Sequence, residues 1–177
     1  MGLSKSLKRK IISALANHGF AIQGLSMRVT VRVEKFKQGS IKPYQILESH
    51  HNKFLVEGME QLKALMIGTN TDYYDNGNAR TGVGNDNTAE DEAQTGLIGG
   101  SSEYKAMDVT YPNVGTSKTI IFKSTYASAE GNFAWEEYIV DNGAADDDTL
   151  LRIVSSKGTK SAGETWSLQI TCVLANP

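Results

Sequence analysis

Apolar residues recur every four positions at the start of the chain. Leu3, Leu7, Ile11 and Leu15 form the row and Ile12 and Ala14 widen it, so residues 4–17 are predicted as an amphipathic helix. Ser4 or Ser6 can cap its start, and Gly19 follows as a stop. The period then drops to two. Leu25, Met27, Val29, Val31 and Val33 alternate with Ser26, Arg28, Thr30, Arg32 and Glu34, the pattern of a half-buried strand. Gln38-Gly39-Ser40 makes a turn, and Ile41–Glu48 returns as a second strand. Pro43 has no N–H to donate, which places that strand at a sheet edge.

A 3.6-residue period reappears over Lys53–Ile67. Asn52 is the predicted N-cap, Gly68 the stop, and Leu55, Val56, Met59, Leu62, Leu65 and Met66 the apolar stripe, with Gly58 a weak point within it. Residues 68–102, rich in Gly, Asn, Thr and Asp, read as one long loop of the kind that usually carries function. Strand patterns follow at Tyr104–Tyr111, Lys118–Tyr126, Asn132–Asp141, Thr149–Val154 and Glu164–Leu174. Turn signals separate them at Pro112-Asn113, Glu130-Gly131, Asn142-Gly143 and Lys157-Gly158. The predicted fold is mainly β: an antiparallel, jelly-roll-like β-sandwich spanning 25–177, with one inserted helix and an N-terminal helical arm over 1–24.

Charge sharpens this division. Residues 1–37 hold eight Lys and Arg against Glu34 alone, a net +7, while the remaining residues hold ten basic against nineteen acidic side chains, a net −9. A near-neutral total thus conceals a basic arm on an acidic body. Four of the arm's cations, Lys5, Lys8, Arg9 and Lys10, lie in the first half of the predicted helix. They oppose the helix dipole there, so helix stability does not account for them. The run Ile11–Ala16 falls short of the ~7–15 apolar residues of a signal peptide, and no segment reaches the ~18 apolar residues of a membrane span. The expectation is a soluble protein made inside the cell.

No motif in the chain assembles a catalytic constellation. Gly82-Val83-Gly84 is half of a phosphate-cradling fingerprint, without its third glycine, and reads as a tight turn. His50 and His51, adjacent on a strand, point to opposite faces and do not chelate one metal. The acidic stretches Asp86, Glu90, Asp91, Glu92 and Asp146-Asp147-Asp148 lack the calcium-loop pattern and read as solvated loops. Glu136 and Glu137 also face opposite ways. Unless a bulge intervenes, Glu137 is expected on the side of Phe133, Trp135 and Ile139, where it needs a cation such as Arg152 or Arg80. The lone Cys172 sits on the apolar side of the last strand as a small hydrophobe and leaves no disulfide to form. Trp135, Trp166 and Tyr126 are core candidates before they are sugar-stacking ones. No enzyme activity, cofactor or metal is expected. The arm, with no aromatic among its cations, fits a protein surface better than nucleic acid or a membrane.

Four segments carry a family resemblance. HHNKFLVEGMEQLKALMIG, then TGVGNDNTAEDEAQTGL, then SKTIIFKSTYASAEGNFAWEEYIVDNG, and finally LLRIVSSKGTKSAGETWSLQITCVL follow an order that resembles small virion proteins of tailed bacteriophages and prophages. The resemblance runs from about Met27 to Leu174; the basic helix lies outside it. It implies a β-sandwich or jelly-roll component of a virion, assembled from the host bacterial cytoplasm, with no enzymatic role. The first expectation is a capsid decoration or cement protein that bridges major capsid protein subunits as a homo-oligomer, a trimer by preference. Alternatives are a tail, baseplate or fibre-attachment component or, in a different class, a carbohydrate-binding module. The expected partner-binding residues are Leu7, Lys8, Arg9, Lys10, Ile11 and Leu15, with nucleic acid and membrane excluded as partners.

Overall fold

The computed structural model describes residues 26–51, 53–116, 118–143 and 148–175. The predicted arm over 1–24, with its six contact residues, lies outside the described residues. The strands are β1 (Ser26–Lys37), β2 (Gln45–His51), β3 (Arg80–Gly84), β4 (Ser102–Ala106), β5 (Asn113–Val114), β6 (Thr119–Tyr126), β7 (Glu137–Asp141), β8 (Thr149–Val154) and β9 (Glu164–Ala175). The helix α1 (Val56–Ile67) lies between β2 and β3.

Two antiparallel sheets form, five strands in the order β2-β1-β9-β6-β5 and four in the order β4-β3-β7-β8. The chain changes sheet after β2, β4, β6 and β8, and its first and last long strands lie side by side, from Ser26 opposite Ala175 to Lys37 opposite Glu164. This is the predicted antiparallel β-sandwich with one inserted helix.

Alternation decides what lies between the sheets. Val29, Val31 and Val33 of β1 and Trp166, Leu168, Ile170 and Cys172 of β9 face Val83, Tyr138, Val140, Leu151 and Ile153 of the other sheet. Trp135 stands edge-on to Tyr126 and Trp166, each with ring centroids at 4.9 Å, and to Tyr138 at 6.3 Å. Its indole N–H donates to the Gly131 carbonyl at 2.8 Å, and Tyr126 donates its hydroxyl to the Thr81 carbonyl at 2.9 Å. The core's aromatic polar tips therefore have partners.

Several boundaries differ from expectation. β2 starts at Gln45, because the Tyr44 N–H closes the hairpin onto the Lys35 carbonyl and leaves Ile41 99% exposed. β2 is an edge strand, as expected, although Pro43 lies in the turn before it. α1 starts at Val56 with Leu55 in the N-cap position, not at Lys53, and Asn52 lies outside the described residues. Gly68 ends α1 at φ 71°, donating its N–H to the Ala64 and Leu65 carbonyls. The segment 68–102 is not one loop, since β3 runs through it at the centre of the four-stranded sheet. β7 is shorter than predicted. Trp135 pairs instead with the loop ahead of β9, donating to the Gly158 carbonyl and accepting from the Lys157 N–H, both at 2.9 Å.

Candidate functional site

The surface most unlike the rest of the body surrounds α1. Leu55 is fully buried, and Leu62 packs against the core. Gly58 meets β8 so closely that an added Cβ would stand 2.5 Å from the Leu150 Cα. Gln61, also buried, donates to the Asp72 carbonyl at 2.7 Å and accepts from the Asn70 amide at 2.9 Å. Glu57 accepts the Thr149 N–H at 2.8 Å. These contacts turn one side of the helix inward and leave another apolar row outside. Val56, Met59, Met66 and Ile67 are exposed, Met66 by 87%. The predicted single stripe is therefore corrected. Leu55 and Leu62 belong to the seat, whereas Val56, Met59 and Met66 face solvent.

Beside this row lies a cleft of about 450 Å³ lined by Val56, Glu57, Glu60, Glu92, Gln94 and Asp148 among others, with no basic residue in its lining. Glu92 is fixed there because its carbonyl accepts the Val56 N–H at 2.8 Å. On α1 itself Lys63 is the sole cation, paired with Glu60 one turn earlier. The result is an exposed helix face of Val56, Met59, Met66 and Ile67 with the Glu60–Lys63 pair among them, beside a cleft walled by carboxylates.

The chain from Asn85 to Gly100 is held by a buried ion pair. Arg152 donates from Nε to Glu137 at 2.8 Å and from Nη1 to the Thr88 carbonyl at 3.0 Å and Gln94 Oε1 at 3.1 Å; Asp86 lies 3.5 Å from Nη2. Glu137 also accepts the N–H groups of Ile98 at 3.2 Å and Gly99 at 2.8 Å. The expected partnership of Glu137 with Arg152 is present, and Arg80 pairs with Asp141 instead. The expected company of Glu137 is corrected. Trp135, bonded to Lys157 and Gly158, lies ahead of β7 and outside its alternation, so it and Tyr138 both enter the core while Glu137 looks out of the sandwich with Ile139, beneath the loop.

The acidic stretch that read as a solvated loop also works within the fold. Glu90 accepts the Val154 N–H at 2.7 Å on the open edge of β8, and Asp91 accepts the Ala93 N–H at 2.9 Å. Hydrogen bonds from Thr88, reinforced by Arg152, hold the Asp86 carboxyl below its usual range. In the second acidic stretch Asp148 donates its N–H to Asn142 at 3.1 Å, while Asp146 and Asp147 lie outside the described residues. Gly82 and Gly84 are not turn glycines but β3 residues. Gly82 leaves room for Ile139, and Gly84 for the Glu137 side chain.

The opposite end of the sandwich gathers charges the sequence did not single out. Lys35 lies 4.1 Å over the Trp166 ring and donates to the Lys157 carbonyl at 2.6 Å. Burial lowers the pKa of Lys35, Lys157 and Lys160. Glu164 accepts from Lys37 at 2.6 Å and from the Tyr44 hydroxyl at 2.8 Å, and these bonds, Lys37 foremost, hold its carboxyl down at about 2. Nearby, a shallow groove of about 260 Å³ lies on the outer side of the five-stranded sheet between Phe36, Lys123, Thr125, Thr165 and Ser167. The buried Ser167 hydroxyl has no hydrogen-bond partner.

Other singled-out residues take structural places. Cys172 is buried, and burial pushes its thiol up to about 12. His50 Nδ1 lies 3.0 Å from Thr30 Oγ1. Trp135, Trp166 and Tyr126 are fully enclosed, so none offers a face to a sugar. Among the described residues no three His, Cys, Asp or Glu side chains are grouped to hold a metal ion, and no helix is long and apolar enough to cross a membrane.

The fold and this surface define a two-sheet antiparallel β-sandwich bearing one edge-mounted amphipathic helix. No protein-family model, no curated protein and no solved structure matches the chain.

Proposed function

We propose that the protein is a structural component of a tailed-bacteriophage virion, a capsid decoration or cement protein that bridges major capsid subunits. The observation that carries this reading is the distribution of exposed apolar side chains on a body whose buried charges are hydrogen-bonded internally. Met66 and Ile67 project from α1, Ile41 (99% exposed) from the β1–β2 turn, Val109 from the connection before β5 and Val114 (83% exposed) from β5 itself. Contact points at separated places on a rigid body suit a protein that holds several neighbours at once. The sequence resemblance supports the virion setting, and the basic arm supplies a further contact element through Leu7, Lys8, Arg9, Lys10, Ile11 and Leu15.

The test is a particle reconstruction by electron cryomicroscopy with the sandwich fitted into density. The proposal expects density for it on the outer shell, repeated about the shell's rotation axes. Density confined to the tail or baseplate would replace the decoration role with a tail role. Its absence from every part of the particle would end the virion assignment.

A further inference from the structure

A groove of about 260 Å³ on the outer side of the five-stranded sheet has an unsatisfied polar floor. Ser167 of β9 points outward, because its neighbours Trp166 and Leu168 enter the core. It is only 4% exposed, yet its hydroxyl has no hydrogen-bond partner. An enclosed hydroxyl left unbonded is a standing cost to the free protein, which a ligand oxygen seated in the groove removes. Thr165, two residues earlier on the same face, adds a second hydroxyl, and Phe36, opposite it on β1, adds an apolar ring. Most charges around the groove are engaged. Glu34, opposite Ser167 on β1, is bonded to Arg32 at 2.7 Å, and Asp108 accepts the N–H and the hydroxyl of Thr125, opposite Ser167 on β6. Lys37 is bonded to Glu164 at 2.6 Å. Lys123 has no carboxylate partner among the described residues, and its ammonium lies 5.7 Å over the Tyr111 ring.

We propose that this groove binds one carboxylated sugar residue, its ring against Phe36, its hydroxyls on Thr165 and Ser167, and its carboxylate on Lys123. The lining selects that class. An aromatic ring beside hydroxyls suits a ligand that is apolar on one face and hydroxylated around its rim. The single unpaired cation calls for one negative charge, not the two of a phosphate monoester, whose second charge would meet Glu34 and Asp108. The volume lies just below the ~300–1,000 Å³ of pockets for drug-sized molecules, which limits the occupant to about one sugar ring. The groove is separate from the enclosed Trp135, Trp166 and Tyr126, so the burial of those rings does not bear on it. The site is built on the sandwich itself and stands whether or not the protein belongs to a virion.

Amide resonances of the isotope-labelled full-length protein provide the test, followed during titration with methyl β-D-glucuronide, methyl β-D-glucoside and acetate. The two glycosides differ only in the carboxylate, and acetate carries the carboxylate without the ring. The expected result is saturable shifts at Phe36, Thr165 and Ser167 with the glucuronide, at a dissociation constant on the order of millimolar for so small a ligand. The glucoside should bind about tenfold more weakly for want of the bond to the Lys123 ammonium, and acetate should shift nothing. Lys123→Met should erase the difference between the glycosides. Ser167→Ala should weaken both about threefold and leave the urea midpoint of the free protein unchanged, because the hydroxyl has no bond to lose. Absence of groove shifts with either glycoside overturns the proposal. Equal binding of the two glycosides overturns the contact of a carboxylate with Lys123, and acetate that binds as well as the glucuronide overturns the sugar. A lowered midpoint in Ser167→Ala overturns the unsatisfied floor, since the hydroxyl would then be bonded within the fold.

Discussion

At the scale of single residues, buried charge does the work of shaping loops. Arg152 and Glu137 are both fully enclosed and bridged at 2.8 Å, and their remaining bonds go to the segment between Asn85 and Gly100. Removing one partner leaves the other unpaired in a site closed to water, so Arg152→Met is expected to cost about 3–5 kcal/mol. The double change Arg152→Met with Glu137→Leu is expected to recover much of that, read from denaturant midpoints. Hydrogen exchange should show the Ile98 and Gly99 amides opening in the single variant before the rest of the sheet. Glu164 provides a pH signature. Its carboxyl is held at about 2 in the fold against an ordinary 4.5, so the unfolded chain binds a proton first as pH falls. Its contribution is complete above about 4.5 and declines through the interval down to about 2. Urea midpoints should fall across that interval, and Glu164→Gln should flatten the fall.

At the scale of elements, α1 depends on the absence of a side chain. Gly58 lets the helix backbone approach β8, where an added Cβ would meet the Leu150 Cα at 2.5 Å. Gly58→Ala is expected to destabilise by ~1–3 kcal/mol through overpacking, checked by thermal or urea unfolding. The weak point of the helical pattern is thus the contact that fixes the helix. The same backbone closeness explains what the sequence could and could not reveal. β1 and β9 are legible because inward Val, Leu, Ile and Trp alternate with polar residues, and β8 because its Leu, Ile and Val form the short apolar run of a strand buried on both faces. β3 is illegible because its outward positions are Gly82 and Gly84, emptied for Ile139 and Glu137, and glycine in sequence signals a turn. The partnership of Glu137 with Arg152 was open to inference, since a carboxylate expected among apolar residues demands a cation. Its depth beneath the loop was not, because Trp135 lies ahead of β7, bonded to Lys157 and Gly158, and a count of faces that starts from it fails. The outward row on α1 was hidden for another reason. Residues of both faces recur at helical spacing, and only the seat on β8 separates them.

At the scale of the whole molecule, the sandwich has a capped strand edge at β8 and a few exposed apolar points. The open edge of β8 is closed by Glu57 on the Thr149 N–H and Glu90 on the Val154 N–H, both through side-chain carboxylates, which discourages indiscriminate strand pairing. Exposed apolar side chains remain on α1, at the turn holding Ile41, and at Val109 and Val114. In the proposed role, a body with net charge −9 outside residues 1–37 presents a segment of opposite sign to a larger acidic surface. Charge reversal of Lys8, Arg9 and Lys10 should weaken that contact, and raised salt should weaken the unaltered contact in the same direction. The most direct measurement is co-sedimentation of the full chain with purified shells from which the decorating layer has been stripped. The account predicts saturable binding in simple ratio to the shell's symmetry axes, lost on charge reversal at the three cations. A chain that stays in the supernatant at every ratio, or binds the charge-reversed form equally, would contradict it.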